Sequence, residues 1–201
     1  MNIGIDVDGT LMDISSYMLE KGRRYFQREP DDPAAFDVDA MFSCTHKERT
    51  RFWMRHLLRY CTAMPAIDGA AETIRRLRED GHSIYIVTSR VYTTRSDLIG
   101  ILFRSLLIRW LKKNGIAYDN IVFCEDTGDA KLRECQRLHV DVMLDDKPDN
   151  LITISRACRV IVCPMPWNRD MSEQGFIRAR DWEQLYDLLS GKDMPVQPHA
   201  G

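Results

Sequence analysis

The sequence predicts an α/β fold: a parallel sheet of about five strands with helices on both faces, and a small helical cap inserted after the first strand. Three observations carry this expectation. Short apolar runs rich in Ile and Val recur along the chain, segments of helical periodicity separate them, and the first connection is far longer than the others.

The strands are read in order at Ile3 to Ile5, Ile84 to Val87, Ile121 to Cys124, Val142 to Leu144 and Val160 to Cys163. Each is a short apolar run followed by polar or loop-forming residues, the pattern of a strand buried on both faces. Helices are expected at Ala70 to Arg78, where Ile74 and Leu77 share a face, and at Asp97 to Lys113, Ala130 to Leu138 and Asn150 to Ala157. Alternation of this kind produces a Rossmann-like parallel sheet covered on both sides. Between the first and second strands lie about 75 residues, far more than one crossover helix needs. Residues 14–66 are therefore read as the cap, and 1–13 with 67–190 as the core domain. Two helices are expected in the cap. The first runs from Ile14 to Arg28 and stops before Pro30; the second runs from Lys47 to Cys61 behind Thr45, an N-cap candidate. The stretch 191–201, with two prolines and little apolar content, is expected to be a frayed tail.

Composition narrows the function classes. The 201 residues are 44% hydrophobic and 29% charged, the balance of a chain with a packed interior. With 28 Lys and Arg against 30 Asp and Glu, the net charge of -2 offers no general attraction to polymeric nucleic acid or to an anionic membrane. No secretion signal or spanning run is evident, so a cytoplasmic location is expected. The six cysteines form no CxxC pair and no zinc-finger spacing, and are read as reduced, with Cys124 and Cys163 as small core residues.

The chemistry concentrates where strands should end. Asp6 and Asp8 stand in Asp6-Val7-Asp8-Gly9-Thr10, directly after the first strand. The carboxyl ends of strands in an open α/β sheet form the ligand crevice, and Gly9 lets the backbone turn tightly there. Capping of the loop is the ordinary alternative for two such aspartates. Thr88, Ser89 and Arg90 follow the second strand, where hydroxyls, backbone N–H groups and a guanidinium can hold a phosphoryl oxygen; a helix cap would look similar. After the fourth strand come Asp145 and Asp146. Adjacent acids in a crevice repel one another, and a cation repairs this. In a parallel sheet Asp6, Asp8, Asp145 and Asp146 meet at one edge, and an oxygen-only donor set with open positions favours Mg²⁺. Lys131, which opens the helix before the fourth strand, is placed to offset that negative charge, although a solvated lysine is the commoner reading of such a residue taken alone.

In this order the four segments resemble the motifs of the haloacid dehalogenase (HAD) superfamily of phosphohydrolases: Asp6 to Thr10 the first, Thr88 with Ser89 the second, Lys131 the third, Asp145-Asp146 the fourth. The resemblance implies that Asp6 attacks phosphorus to form an aspartyl-phosphate, and that Asp8 protonates the leaving oxygen and later activates water. It further implies that Asp6, the Asp8 carbonyl and the acidic pair hold Mg²⁺, with Asp146 the direct ligand and Asp145 direct or through water. Thr88 and Lys131 are then both catalytic and substrate-binding, while Ser89 and Arg90 are read as substrate-binding alone.

The cap, with Phe52-Trp53 in its second helix, is similar to that of the 5'(3')-deoxyribonucleotidase group, which implies a nucleoside monophosphate as the small phosphorylated substrate. Phe36, Phe42, Trp53 and Tyr60 are candidates for stacking on a base, and Arg51, Arg55, His56 and Arg59 for meeting phosphate or ribose oxygens. Aromatic residues at helical spacing more often pack the core of their own segment. A sugar or polyol phosphate is the alternative substrate, and a phosphoryl-binding module without turnover is the alternative of another class.

Overall fold

The computed structural model describes residues 1–191. Six parallel strands form one sheet: β1 (Asn2–Ile5), β2 (Ser83–Thr88), β3 (Asn120–Phe123), β4 (Val142–Asp145), β5 (Arg159–Val162) and β6 (Ile177–Arg178), in the order β3-β2-β1-β4-β5-β6. The expected five are all present. The sixth, β6, is only two residues long and has no apolar run to announce it; it is held by pairing Ile161 with Ile177.

Among the described residues eight α-helices surround the sheet: α1 (Ile14–Phe26), α2 (Val38–Met41), α3 (His46–Ala63), α4 (Ala70–Glu79), α5 (Leu98–Lys113), α6 (Gly128–Arg137), α7 (Pro148–Ile154) and α8 (Trp182–Leu189). The period-two alternation of the strands divides the interior. Val142, Leu144 and Ile161 face one cluster with Ile74, Leu107, Trp110 and Leu185, while Met143, Val160 and Val162 face another with Cys135, Leu151 and Ile154. Helices α4, α5 and α8 thus cover one face of the sheet, and α6 and α7 the other.

Several boundaries move for local reasons. Helix α1 ends at Phe26 rather than Arg28 because Gln27 turns into the left-handed region at φ 56°. Helix α7 begins at Pro148, whose fixed φ suits a first helical position, and ends at Ile154. The expected cap on α3 is made: Thr45 accepts from the Glu48 N–H while Glu48 returns a bond to the Thr45 N–H. Helix α8 was not anticipated, although Asp181 caps it and Trp182, Leu185, Leu188 and Leu189 are its buried residues. Of the expected tail, residues 192–201 lie outside the described residues.

Helices α1 to α3 form a layer with an apolar cluster of their own, Met18, Val38, Met41, Phe42 and Phe52. Gly22 permits the contact between α1 and the Phe42 ring, which a Cβ at that position would overlap. Among the described residues no helix is long and apolar enough to cross a membrane.

Candidate active site

Strand order fixes where the site lies. β1 is central, and the chain runs outward through β2 and β3 on one side and β4, β5 and β6 on the other, so the order reverses between β1 and β4. Ligand crevices open at such a reversal, outside the carboxyl ends of the strands. Asp6 follows β1 and is tied to the neighbouring strand by its N–H on the Leu144 carbonyl at 3.0 Å, and Asp145 ends β4. Asp146 comes next, and it crowds the turn after β1: Gly9, at φ 77°, faces the Asp146 carboxylate so closely that a Cβ would overlap it.

Three acids converge. Asp6, Asp145 and Asp146 are all buried, and each offers an oxygen within 4.8 Å of the others. Lys131, in the first turn of α6 and 1% exposed, sits between two of them, with Nζ 2.6 Å from Asp145 Oδ2 and 3.0 Å from Asp6 Oδ1. Asp145 is otherwise saturated, since its Oδ1 accepts from the Lys147 N–H at 2.9 Å and its two oxygens face the Asn150 amide at 3.4 and 3.3 Å. Asp146 accepts at Oδ2 from the Trp167 indole N–H at 3.1 Å, while the Asn168 amide donates to its backbone carbonyl at 2.8 Å. The Trp167 ring also meets the edge of Phe36, with centroids 5.1 Å apart.

One ammonium among three buried carboxylates leaves an excess of negative charge. Burial pushes the Asp6 carboxyl up to about 7; Lys131 opposes this, and Asp145 and Asp8 add to it. Asp146 is held well above the usual carboxylate range by burial first, then by Asp145 and Asp6. Burial would depress Lys131, but Asp145 and Asp6 outweigh it and raise its pKa, so the ammonium stays charged. This oxygen-only, charge-deficient cluster fits a hard divalent cation such as Mg²⁺.

Asp8 lies apart from the three. Its Oδ1 accepts the Tyr60 hydroxyl at 2.6 Å and faces Arg90 Nη2 at 3.5 Å. Arg90, expected to meet a phosphoryl oxygen, lines the same cavity as Asp8 and is buried against Asp8, the Tyr60 ring at 5.1 Å and Met12 Sδ at 3.2 Å, with Nη2 left without a hydrogen bond. Thr88 is buried, its Oγ1 accepting from the Arg90 N–H at 3.3 Å, and Ser89 lies beside Cys124 at 3.7 Å.

Asp6, Asp8, Thr88, Ser89, Arg90, Lys131 and Asp146 line one cavity of about 520 Å³, which Asp145 does not reach; the volume lies within the range of about 300–1,000 Å³ usual for small-molecule sites. Its other wall comes from the helical layer, chiefly Phe36, Arg49, Thr50, Trp53, Leu57 and Tyr60. Of the residues considered for base or ribose contact, Phe36, Trp53 and Tyr60 reach the cavity, whereas Phe42 packs inside the layer. Arg55, His56 and Arg59 line a separate depression with Lys21, Arg24 and Tyr25, and Arg51 lines neither. Sequence reading passed over Arg49, Asn150, Trp167 and Asn168. Asn150 alone left a trace, five residues after Asp145 in the first turn of a helix.

Comparison with known proteins agrees with this geometry. The sequence model of the family described as "5' nucleotidase, deoxy (Pyrimidine), cytosolic type C protein" matches residues 1–194. A 5'(3')-deoxyribonucleotidase of Clostridium acetobutylicum is 25% identical over 200 residues, covering 93% of this chain and 97% of that protein. A nucleotidase of the same organism is 23% identical over 192 residues, covering 94% and 93%. Among solved structures, a HAD family hydrolase from Deinococcus radiodurans, described with bound phosphate and sodium, superposes with a TM-score of 0.69 at 16% identity, over 97% of this chain and 98% of that one.

Proposed function

The chain belongs to the cytosolic type C family of 5' nucleotidases and is a HAD-type phosphatase; from that premise we propose that it is a cytoplasmic, Mg²⁺-dependent hydrolase of nucleoside monophosphates, working through an aspartyl-phosphate on Asp6. The observation that carries the reading is the pairing of a buried triad of carboxylates around Lys131 with an aromatic wall supplied by the helical layer, across one cavity.

In this reading residues 1–13 and 67–190 form the catalytic core and 14–66 the cap. Asp6 supplies the oxygen that attacks phosphorus, and Asp8 hands a proton to the departing ester oxygen and later takes one from the hydrolytic water. Lys131, Thr88, Ser89 and the spare Nη2 of Arg90 hold the phosphoryl oxygens. Mg²⁺ would be held by Asp6, the Asp8 backbone carbonyl and Asp146, and when bound it neutralises carboxylate and phosphoryl charge together. The saturation of Asp145 by Lys131, Lys147 and Asn150 favours Asp146 as the direct ligand. Phe36 and Trp53 offer flat apolar surface to a base.

A phosphate-release screen over nucleoside monophosphates and sugar phosphates, with and without Mg²⁺, tests the proposal. Release is expected only with Mg²⁺ and to favour nucleotides, and Asp6→Asn should lower kcat at least about 1,000-fold with folding intact. Unchanged turnover in that variant would remove Asp6 as nucleophile, and a preference for sugar or polyol phosphates would replace the substrate.

A further inference from the structure

We infer that Tyr60 is a positioning residue for Asp8: its hydroxyl, delivered from the helical layer, fixes which Asp8 oxygen carries the proton handed to the leaving group. The inference rests on the reading of Asp8 as the acid and goes beyond it by assigning a partner.

The Asp8 side chain is 26% exposed. One of its oxygens, Oδ1, accepts the Tyr60 hydroxyl at 2.6 Å and faces the Arg90 cation, with Nη2 at 3.5 Å. With Oδ1 engaged by the hydroxyl and the guanidinium, Oδ2, for which no hydrogen bond is seen among the described residues, is the oxygen left to face the leaving group. The Tyr60 ring is held on several sides, by Tyr17 at 5.1 Å, Trp53 at 5.9 Å and the Arg90 guanidinium at 5.1 Å, and the residue is 2% exposed. A phenylalanine would satisfy every one of those ring contacts. The hydroxyl therefore answers to Asp8, its polar partner.

In the step concerned an Asp6 oxygen bonds to phosphorus, the ester P–O bond breaks, and its electron pair stays on the ester oxygen, which takes the proton from Asp8 Oδ2. An alkoxide leaving group needs that proton, whereas a nitrophenolate departs without it. Misplacing the acid must therefore penalise nucleotides selectively. Simple loosening of the site would penalise both esters alike.

The experiment compares kcat/KM, which reports steps up to departure of the leaving group, for a nucleoside 5'-monophosphate and for p-nitrophenyl phosphate in wild type, Tyr60→Phe and Asp8→Asn. In Y60F the nucleotide value should fall about 10- to 50-fold and the aryl value less than about 2-fold, a part of the full effect of a general acid; thermal melting checks that the fold is kept. Equal falls on the two esters, or no fall on either, would overturn the positioning role if D8N still shows the selective loss. Should D8N show no selective loss, Asp8 is not the acid, and the assignment of Tyr60 goes with it.

Discussion

The two walls of the cavity are built on opposite principles. The sheet edge gathers groups that are uncomfortable indoors: Asp6, Asp145 and Asp146, with the Lys131 ammonium between two of them. The helical layer gathers groups that are content there, Phe42 and Phe52 in its interior and Trp53 and Phe36 toward the cavity. Buried like charges are costly unless compensated, so their presence indicates chemistry. Buried aromatics stabilise any fold, and their presence alone says little about what they touch besides one another.

Three experiments press on this contrast, beginning with the sheet edge. Lys131→Met leaves Asp6 and Asp145 buried without their cation, and without divalent ions it should cost about 3–5 kcal/mol of stability; in the presence of Mg²⁺, turnover should fall more than about 100-fold on every phosphate ester. Urea unfolding and kinetics measure the two, and a K131M protein as stable as wild type would show that the lysine does not carry the charge balance.

The next test is the response to pH. The Asp6 carboxyl has its folded pKa raised from 3.8 to about 7. Its contribution to stability is thus fully present below about pH 4 and is lost as pH rises through about 7, a fall of order 4 kcal/mol in the metal-free protein. Mg²⁺ should bind more tightly as pH rises across the same window, releasing protons that calorimetry in buffers of differing ionisation enthalpy can count. Asp6→Asn should flatten the stability profile, and an equally steep one in D6N would place the titration elsewhere.

The smallest effect is expected from the aromatic wall. Trp53→Ala should raise KM for nucleoside monophosphates by about 10-fold while leaving kcat/KM for a small aryl phosphate within about 2-fold. A loss shared by both substrates would mean that the layer supports the catalytic edge rather than selecting what reaches it.

The same contrast explains what could be read before folding. Asp145-Asp146 after an apolar strand, and Asp6 and Asp8 before Gly9, stood out because so many acids at strand ends exceed what loop capping requires, and a parallel sheet leaves little choice about which edge they share. For Arg90, position predicts that it arrives at the edge, whereas only packing shows that it is buried beside Asp8 with Nη2 left without a hydrogen bond. Tyr60 could be seen as an aromatic on a helix, yet its partner lies 52 residues away, and its bond depends on how the layer seats. Strand β6 and helix α2 escaped for a different reason, being too short for periodicity to register. Helix α8, by contrast, carries a legible apolar stripe, Trp182, Leu185, Leu188 and Leu189, behind its Asp181 cap.

Trp167 touches both walls, its indole N–H on the Asp146 carboxylate and its ring against Phe36. The chain therefore carries an intrinsic fluorophore at the seam: neutralising the carboxylate would alter its emission from one side and displacing the phenyl ring from the other. Arrival of the ion and movement of the layer would each leave an optical trace, without any label being attached.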